Sequence, residues 1–148
     1  MKCIIQRVSG ASIVINGKDG GKIQKGLVVL CAYSDSDDEK TVDFCVEKIA
    51  NLRIFEDENG KMNRSILDEN GNIMLVSNFT LYADASKGRR PSFTKSARPE
   101  ISEPLYDMTV QQFGNIFQNL VTGEFGADMQ ISLTNDGPVT IIVEKENE

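Results

Sequence analysis

Two short stretches carry residue types from which chemistry can be built. Ser77-Asn78-Phe79-Thr80-Leu81 closes an apolar strand with two hydroxyls and a run of backbone amides, the parts that can hold a carbonyl oxyanion. Asn135-Asp136-Gly137-Pro138-Val139-Thr140 sets a Gly-Pro bond between two apolar segments. Proline gives no N–H to a sheet ladder and keeps to edges, strand ends or bulges. Glycine before it accepts backbone angles that other residues avoid, and only X-Pro bonds have a realistic cis form. By residue type alone, the plainer account of these stretches is a buried strand end and a hairpin turn.

The chain contains no histidine. That removes the commonest general base and rules out Ser-His-Asp and Cys-His devices. A hydrolysis here must use a carboxylate, a lysine, a positioned water, backbone amides or the substrate's own groups. Cys3, Cys31 and Cys45 are far apart in sequence and odd in number, without the spacing of a zinc site or a disulfide framework. They are expected as buried free thiols in a reducing cytoplasm. Neither a metal nor a cofactor is expected.

The net charge of −6 argues against a nucleic-acid partner until its distribution is read. Residues 84–98 hold Lys87, Arg89, Arg90, Lys95 and Arg98 against Asp84 alone, while acid gathers at 35–39, 56–58 and the C-terminal tail. A basic loop on an acidic body can hold phosphates while the body repels non-specific RNA. The alternative is a solvated loop.

These stretches need elements to position them. The chain of 148 residues, 40% apolar and 26% charged, suits one domain spanning 1–148, and no apolar run reaches membrane-spanning length. Residues 2–15 read as a strand and, after Ser9-Gly10, a second one. Turns are expected at Asn16-Gly17, Gly20-Gly21, Asn59-Gly60 and Asn70-Gly71. The run from Leu27 to Tyr33 reads as a strand buried on both faces. Ser36 with Glu39 reads as a capping box opening a helix whose stripe is Val42, Cys45, Val46, Ile49 and Ala50, ending about Leu52. Phe44 is read as core ahead of partner-facing. Arg53-Ile54-Phe55 is short and extended, and Ser65-Ile66-Leu67 is a strand or a loop. Ile73–Val76 delivers Ser77–Thr80. A loop then runs to about Pro99, and Pro104 is placed in the first turn of a second helix. Met129, Ile131 and Leu133 alternate along a half-buried strand, Val139–Val143 forms the last one, and residues 144–148 fray. Because turns dominate, an α/β (α+β) fold with mostly antiparallel sheets is predicted.

The two stretches resemble the paired signatures of the D-aminoacyl-tRNA deacylase family of bacteria and eukaryotes. The usual first motif is Ser-Gln-Phe-Thr, with Asn78 here at the second position; the second, Asn-x-Gly-Pro-Val-Thr, is intact. Residues 51–55, 87–93 and 122–129 are also similar to the family, in order along the chain. The resemblance implies a β-barrel-like core of two sheets with two main helices outside, assembled as a homodimer. It also implies hydrolysis of the ester between a D-amino acid and the 3′-terminal adenosine of tRNA, and of mischarged glycyl-tRNA. Ser77, Asn78, Phe79 and Thr80 are then the catalytic residues, with Ser77 and Thr80 positioning and the adenosine 2′-hydroxyl assisting. Gly137-Pro138 of one subunit, in cis, enters the other subunit's site and rejects L-amino acids. Lys87, Arg89, Arg90 and Phe93 are the tRNA-binding candidates. Membrane and DNA partners are not expected. The alternatives are a non-catalytic RNA-binding module, with Phe93 stacking on a base, and a hydrolase of small D-amino acid esters.

Overall fold

Strand β1 (Lys2–Ile15) is the spine to which the other long strands attach. Its first half pairs antiparallel with β3 (Gly26–Ala32) and its second half with β2 (Lys18–Ile23), while β8 (Met129–Glu144) follows the opposite edge along its whole length. The structure is a computed structural model and describes residues 1–147. Ser9-Gly10, expected to separate two strands, lies instead at an irregularity within β1, where it changes partners. Asn16 and Gly17 both take positive φ, 49° and 79°, and close the β1–β2 hairpin as their types require. Gly20-Gly21 falls inside β2, opposite a shift in register at Ile13/Val14.

The sheet is mixed, which corrects the expectation of a mostly antiparallel, two-sheet core. Strand β3 pairs parallel with β6 (Asn72–Ser77), and β6 pairs parallel with β7 (Val121–Thr122). The cause is the two helices. Helix α1 (Glu39–Asn51) lies on the crossover from β3 to β6, and α2 (Pro99–Ile116) on the crossover from β6 to β7. Such crossovers return the chain in the same direction, which turn signals do not reveal. One six-stranded sheet results, beside a small ladder of β4 (Phe55–Glu56) and β5 (Met62–Arg64). The six-stranded sheet curls until its ends nearly meet: a Cβ on Gly21 in β2 would lie 3.2 Å from Val121 of β7. Ser65-Ile66-Leu67 is a loop, pinned by Ser65 N donating to Asp68 Oδ2 at 2.9 Å.

The central strand β3 is buried on both faces. Leu27, Val29 and Cys31 pack under the helices with Val42, Cys45, Ile49, Leu105 and Phe113. Val28 points into the curl with Val8, Ile13, Met74 and Val76. All three cysteines are buried and free, as expected.

Four local expectations are corrected. The N-cap of α1 is Asp38, not Ser36. Thr41 N donates to Asp38 Oδ1 at 3.2 Å and Asp38 N to Thr41 Oγ1 at 3.1 Å. Helix α2 begins at Pro99, leaving Pro104 inside it; both prolines satisfy the same first-turn rule, and the earlier one wins. Phe44 is exposed, with Lys48 and Lys145 above its ring at 5.4 and 5.2 Å. The tail does not fray directly after Glu144, since Asn147 Nδ2 donates to Ser36 O and Asp38 Oδ2, both at 3.0 Å; Glu148 lies outside the described residues.

Candidate active site

Buried β6 carries the chain to Ser77, and Asn78 N donates to Cys31 O at 2.7 Å, extending its attachment to β3. The chain then tightens into a 3-10 turn, Phe79–Tyr82, closed by Leu81 N to Asn78 O (3.2 Å) and Ala83 N to Thr80 O (3.0 Å). Tyr82 is buried beneath it, while Phe79 is 58% exposed. Asn78 gives the turn no side-chain cap. Its Oδ1 accepts the Thr80 hydroxyl at 2.6 Å instead.

A cavity of about 720 Å³ opens beside this turn. Ser77, Asn78 and Phe79 line one side; Phe93, Arg98 and Ser102 line another; and Phe125 to Met129 form a third. The Phe79 and Phe93 rings meet edge to face, 5.4 Å between centroids. Within the lining, burial pushes the Cys31 thiol up to about 12 and raises the Tyr33 hydroxyl as well. Neither is a base or nucleophile near neutral pH, so the polar parts of interest are Ser77, Asn78 and the turn's amides.

Lys87, Arg89 and Arg90 stand on an exposed loop whose ends are tied by Asp84 N to Ser92 O (2.8 Å) and Ser92 N to Asp84 O (2.9 Å). That tie ends at Ser92, one residue before Phe93 at the cavity, so the loop bearing the three cations leads into the cavity wall. Thr80 is exposed, outside the lining, and reaches the site through Asn78.

Gly137-Pro138 does not line this cavity of its own chain. It rides on β8 as an exposed bulge: β1 residues Gln6 and Val8 pair with Thr140 and Asn135, so Asp136 to Val139 span the single residue Arg7. The bond is cis. Asn135 braces the bulge from both sides, accepting Val139 N on Oδ1 and donating through Nδ2 to Thr140 Oγ1, each at 2.9 Å. That contact explains why an Asn and a Thr flank the motif.

Arg7 is the residue that sequence reasoning passed over. Only 6% exposed, it donates from Nε to Asp136 O at 3.1 Å and from Nη1 to Ile54 O at 2.8 Å. It joins the bulge to the segment before β4. Its signal was visible as a lone charge in an apolar strand, which burial permits only when the charge is hydrogen-bonded. The lining by residues 125–129 was singled out in the sequence without a role.

Residues 4–144 match the family described as D-Tyr-tRNA(Tyr) deacylase. The D-aminoacyl-tRNA deacylase of Thermosipho africanus is 50% identical over 99% of this chain and 98% of its own, and that of Flavobacterium psychrophilum 51% identical over 99% of each. The chain belongs to the D-aminoacyl-tRNA deacylase family. Among solved structures similar to this deacylase-family chain, a c-Myc DNA unwinding element binding protein superposes with a TM-score of 0.92 at 38% identity, over 99% of this chain and 100% of that one. A probable eukaryotic D-amino acid tRNA deacylase shares the fold, with a TM-score of 0.83 at 16% identity over 96% and 97%. Asn78 is where this chain departs from the usual glutamine of the deacylase family.

Proposed function

We propose that this protein is a hydrolase that cleaves the ester joining a D-amino acid to the 3′-terminal adenosine of tRNA. Water adds at the ester carbonyl, the sugar oxygen leaves as a hydroxyl, and free D-amino acid and tRNA are released. The observation that carries the reading is one cavity lined by Ser77, Asn78, Phe79 and Phe93, beside a loop bearing Lys87, Arg89 and Arg90, in a chain of the deacylase family. The loop holds the phosphates of the tRNA end, and the Phe79–Phe93 lip takes its terminal base.

Amides at Phe79 and Thr80 open a short helical turn, where N–H groups lack intrahelical acceptors. They bind the oxyanion, each donor lowering the barrier by about 3 kcal/mol. Ser77 and Thr80 position, and the adenosine 2′-hydroxyl assists the water. The Thr80 hydroxyl points its proton at Asn78 and has no base to take it, which suits positioning over attack.

Selection between D and L is by rejection. Gly137 and Pro138 of the partner subunit enter the cavity, and their rigid backbone collides with an L side chain. Glycine has no side chain to reject, so glycyl-tRNA is also hydrolysed. The homodimer is favoured by the exposed Gly137-Pro138 bulge, absent from its own cavity, and by Ile142, 64% exposed on β8, a strand paired on one edge only. The protein acts as one domain in the cytoplasm, where its thiols stay reduced.

Deacylation of D-aminoacyl-tRNA, with a free D-amino acid ester and glycyl-tRNA as parallel substrates, tests the reading. Turnover of both tRNA substrates well above that of the free ester is expected. Binding of tRNA without hydrolysis would replace the enzyme with an RNA-binding module.

A further inference from the structure

Residues 125–129 form the third side of the cavity, in a loop whose two ends meet: a Cβ on Gly123 would lie 2.5 Å from Met129 Sδ. The loop turns through Ala127 N donating to Glu124 O at 3.2 Å, with Gly126 at a φ of +75°. Its first end is held from inside. Gly123 N donates to Leu75 O of β6 at 2.8 Å, and the buried Tyr106 hydroxyl of α2 donates to Gly123 O at 2.8 Å.

The other end is held from outside, by Asn16. The β1–β8 ladder ends at the pair Ile15 and Met129. One step further, Asn16 N still donates to Asp128 O at 2.9 Å, as a hydrogen-bonded antiparallel pair requires. The return bond would run from Asp128 N to the Asn16 carbonyl. That bond does not form, since Asn16 leaves the extended conformation at a φ of 49° to enter the hairpin. The side chain takes the carbonyl's place. Asp128 N donates to Asn16 Oδ1 at 3.2 Å and meets no other acceptor among the described residues. Turn geometry accounts for an asparagine at positive φ, but not for this second bond.

We propose that Asn16 is a positioning residue for substrate binding: its side chain clasps Asp128 and fixes the 125–129 wall, against which the 3′-terminal end of aminoacyl-tRNA is held. The proposal rests on the deacylase reading for what fills the cavity. The turn Phe79–Tyr82 is tied to β3 through the Asn78 amide, independently of Asn16. The clasp therefore acts on binding and leaves the oxyanion amides in place. A wall loosened at one end holds ground state and transition state less well by the same amount, which raises KM and spares kcat.

Three variants test this. Asn16→Gly keeps the positive φ of the turn and lacks the acceptor. Asn16→Asp keeps both the turn and an acceptor oxygen at the same reach. Gly60→Ala is a control for lost stability alone, since Gly60 has a φ of +75° in the β4–β5 turn and an added Cβ meets nothing within 4 Å. The readouts are kcat and KM on D-aminoacyl-tRNA at moderate salt, the melting temperature, and amide exchange across 125–129. Asn16→Gly is expected to speed exchange at Asp128 and raise KM about fivefold, the worth of one ordinary hydrogen bond, with kcat within about twofold. Asn16→Asp restores both, and Gly60→Ala lowers the melting temperature with KM within about twofold. Unchanged exchange at Asp128 in Asn16→Gly overturns the clasp. Faster exchange with unchanged KM overturns its part in binding, as does a KM raised equally by Gly60→Ala. Absence of deacylation in every form, wild type included, sinks the deacylase reading and leaves the exchange result to judge the clasp.

Discussion

The Thr80 hydroxyl donates to Asn78 at 2.6 Å, and that one bond decides how the first motif works here. Thr80→Ala is expected to keep kcat within about tenfold, because the amides stay where the backbone puts them. An acyl-enzyme trapped on Thr80 would contradict this. Asn78 in place of glutamine shortens the side chain yet still reaches Thr80, as a backbone-centred site allows. Reversing both Arg89 and Arg90 to Glu should raise KM steeply and flatten the salt dependence of tRNA binding, since fewer phosphate counterions are then displaced. An unchanged KM at moderate salt would reduce the loop to solvated surface. At this scale the sequence was informative where a residue type is rare in its setting, as with Gly137-Pro138. It marked Arg7 only as a charge in an apolar strand and could not name its partners Ile54 and Asp136, which lie 47 and 129 positions away.

The elements were legible where one local rule governed them. Strand β6 and the stripe of α1 follow from hydrophobic pattern alone. The cap of α1 did not, because neighbours compete for the same groups. Asp37 is taken by the Met1 amine and Ser34, and the Ser34 and Ser36 hydroxyls contact one another at 3.2 Å, so the cap falls to Asp38. Hydrogen bonds from Thr41 hold the Asp38 carboxyl below its ordinary value, and Asp57, Asp68 and Asp84 are lowered by comparable bonds. A carboxyl depressed in the folded state stabilises above its unfolded value, near pH 4, and that stabilisation is lost as pH falls through the folded value. The melting temperature should therefore be nearly flat above about pH 5 and drop below about pH 4. A melting temperature unchanged down to about pH 3 would contradict it. The parallel pairing of β3 and β6 leaves its own mark at Gly26, where an added Cβ would collide with the backbone carbonyl of Asn72. Gly26→Ala should cost at least ~2 kcal/mol by denaturant unfolding. A cost under ~0.5 kcal/mol would mean that the strands do not approach so closely.

Across the whole molecule the two motifs face different neighbours: the Ser77–Thr80 turn borders a cavity of its own chain, and the Gly137-Pro138 bulge faces outward. In the proposed mechanism such an outward-facing filter acts on a second copy of the chain, so that selection by handedness requires the dimer. Gly137 has φ of +129°, and a Cβ there would sit 2.8 Å from the Val139 side chain, so Gly137→Ala should distort the bulge and reduce turnover of D-substrates. Cys3, Cys31 and Cys45 are fully buried, with Cys31 pushed up to about 12 by that burial, and a thiol reagent at pH 8 should label none of them until the protein is unfolded. Rapid labelling of the native protein would show a looser core. The central claim is that this cavity hydrolyses aminoacyl-tRNA and is blind to side chain but not to handedness. The measurement that reaches it most directly is the ratio of initial deacylation rates on one tRNA charged with the D- and the L-form of the same amino acid, at equal enzyme. The account predicts rapid loss of the D-amino acid with the L-ester surviving at its spontaneous rate. Equal rates on the two forms would contradict it.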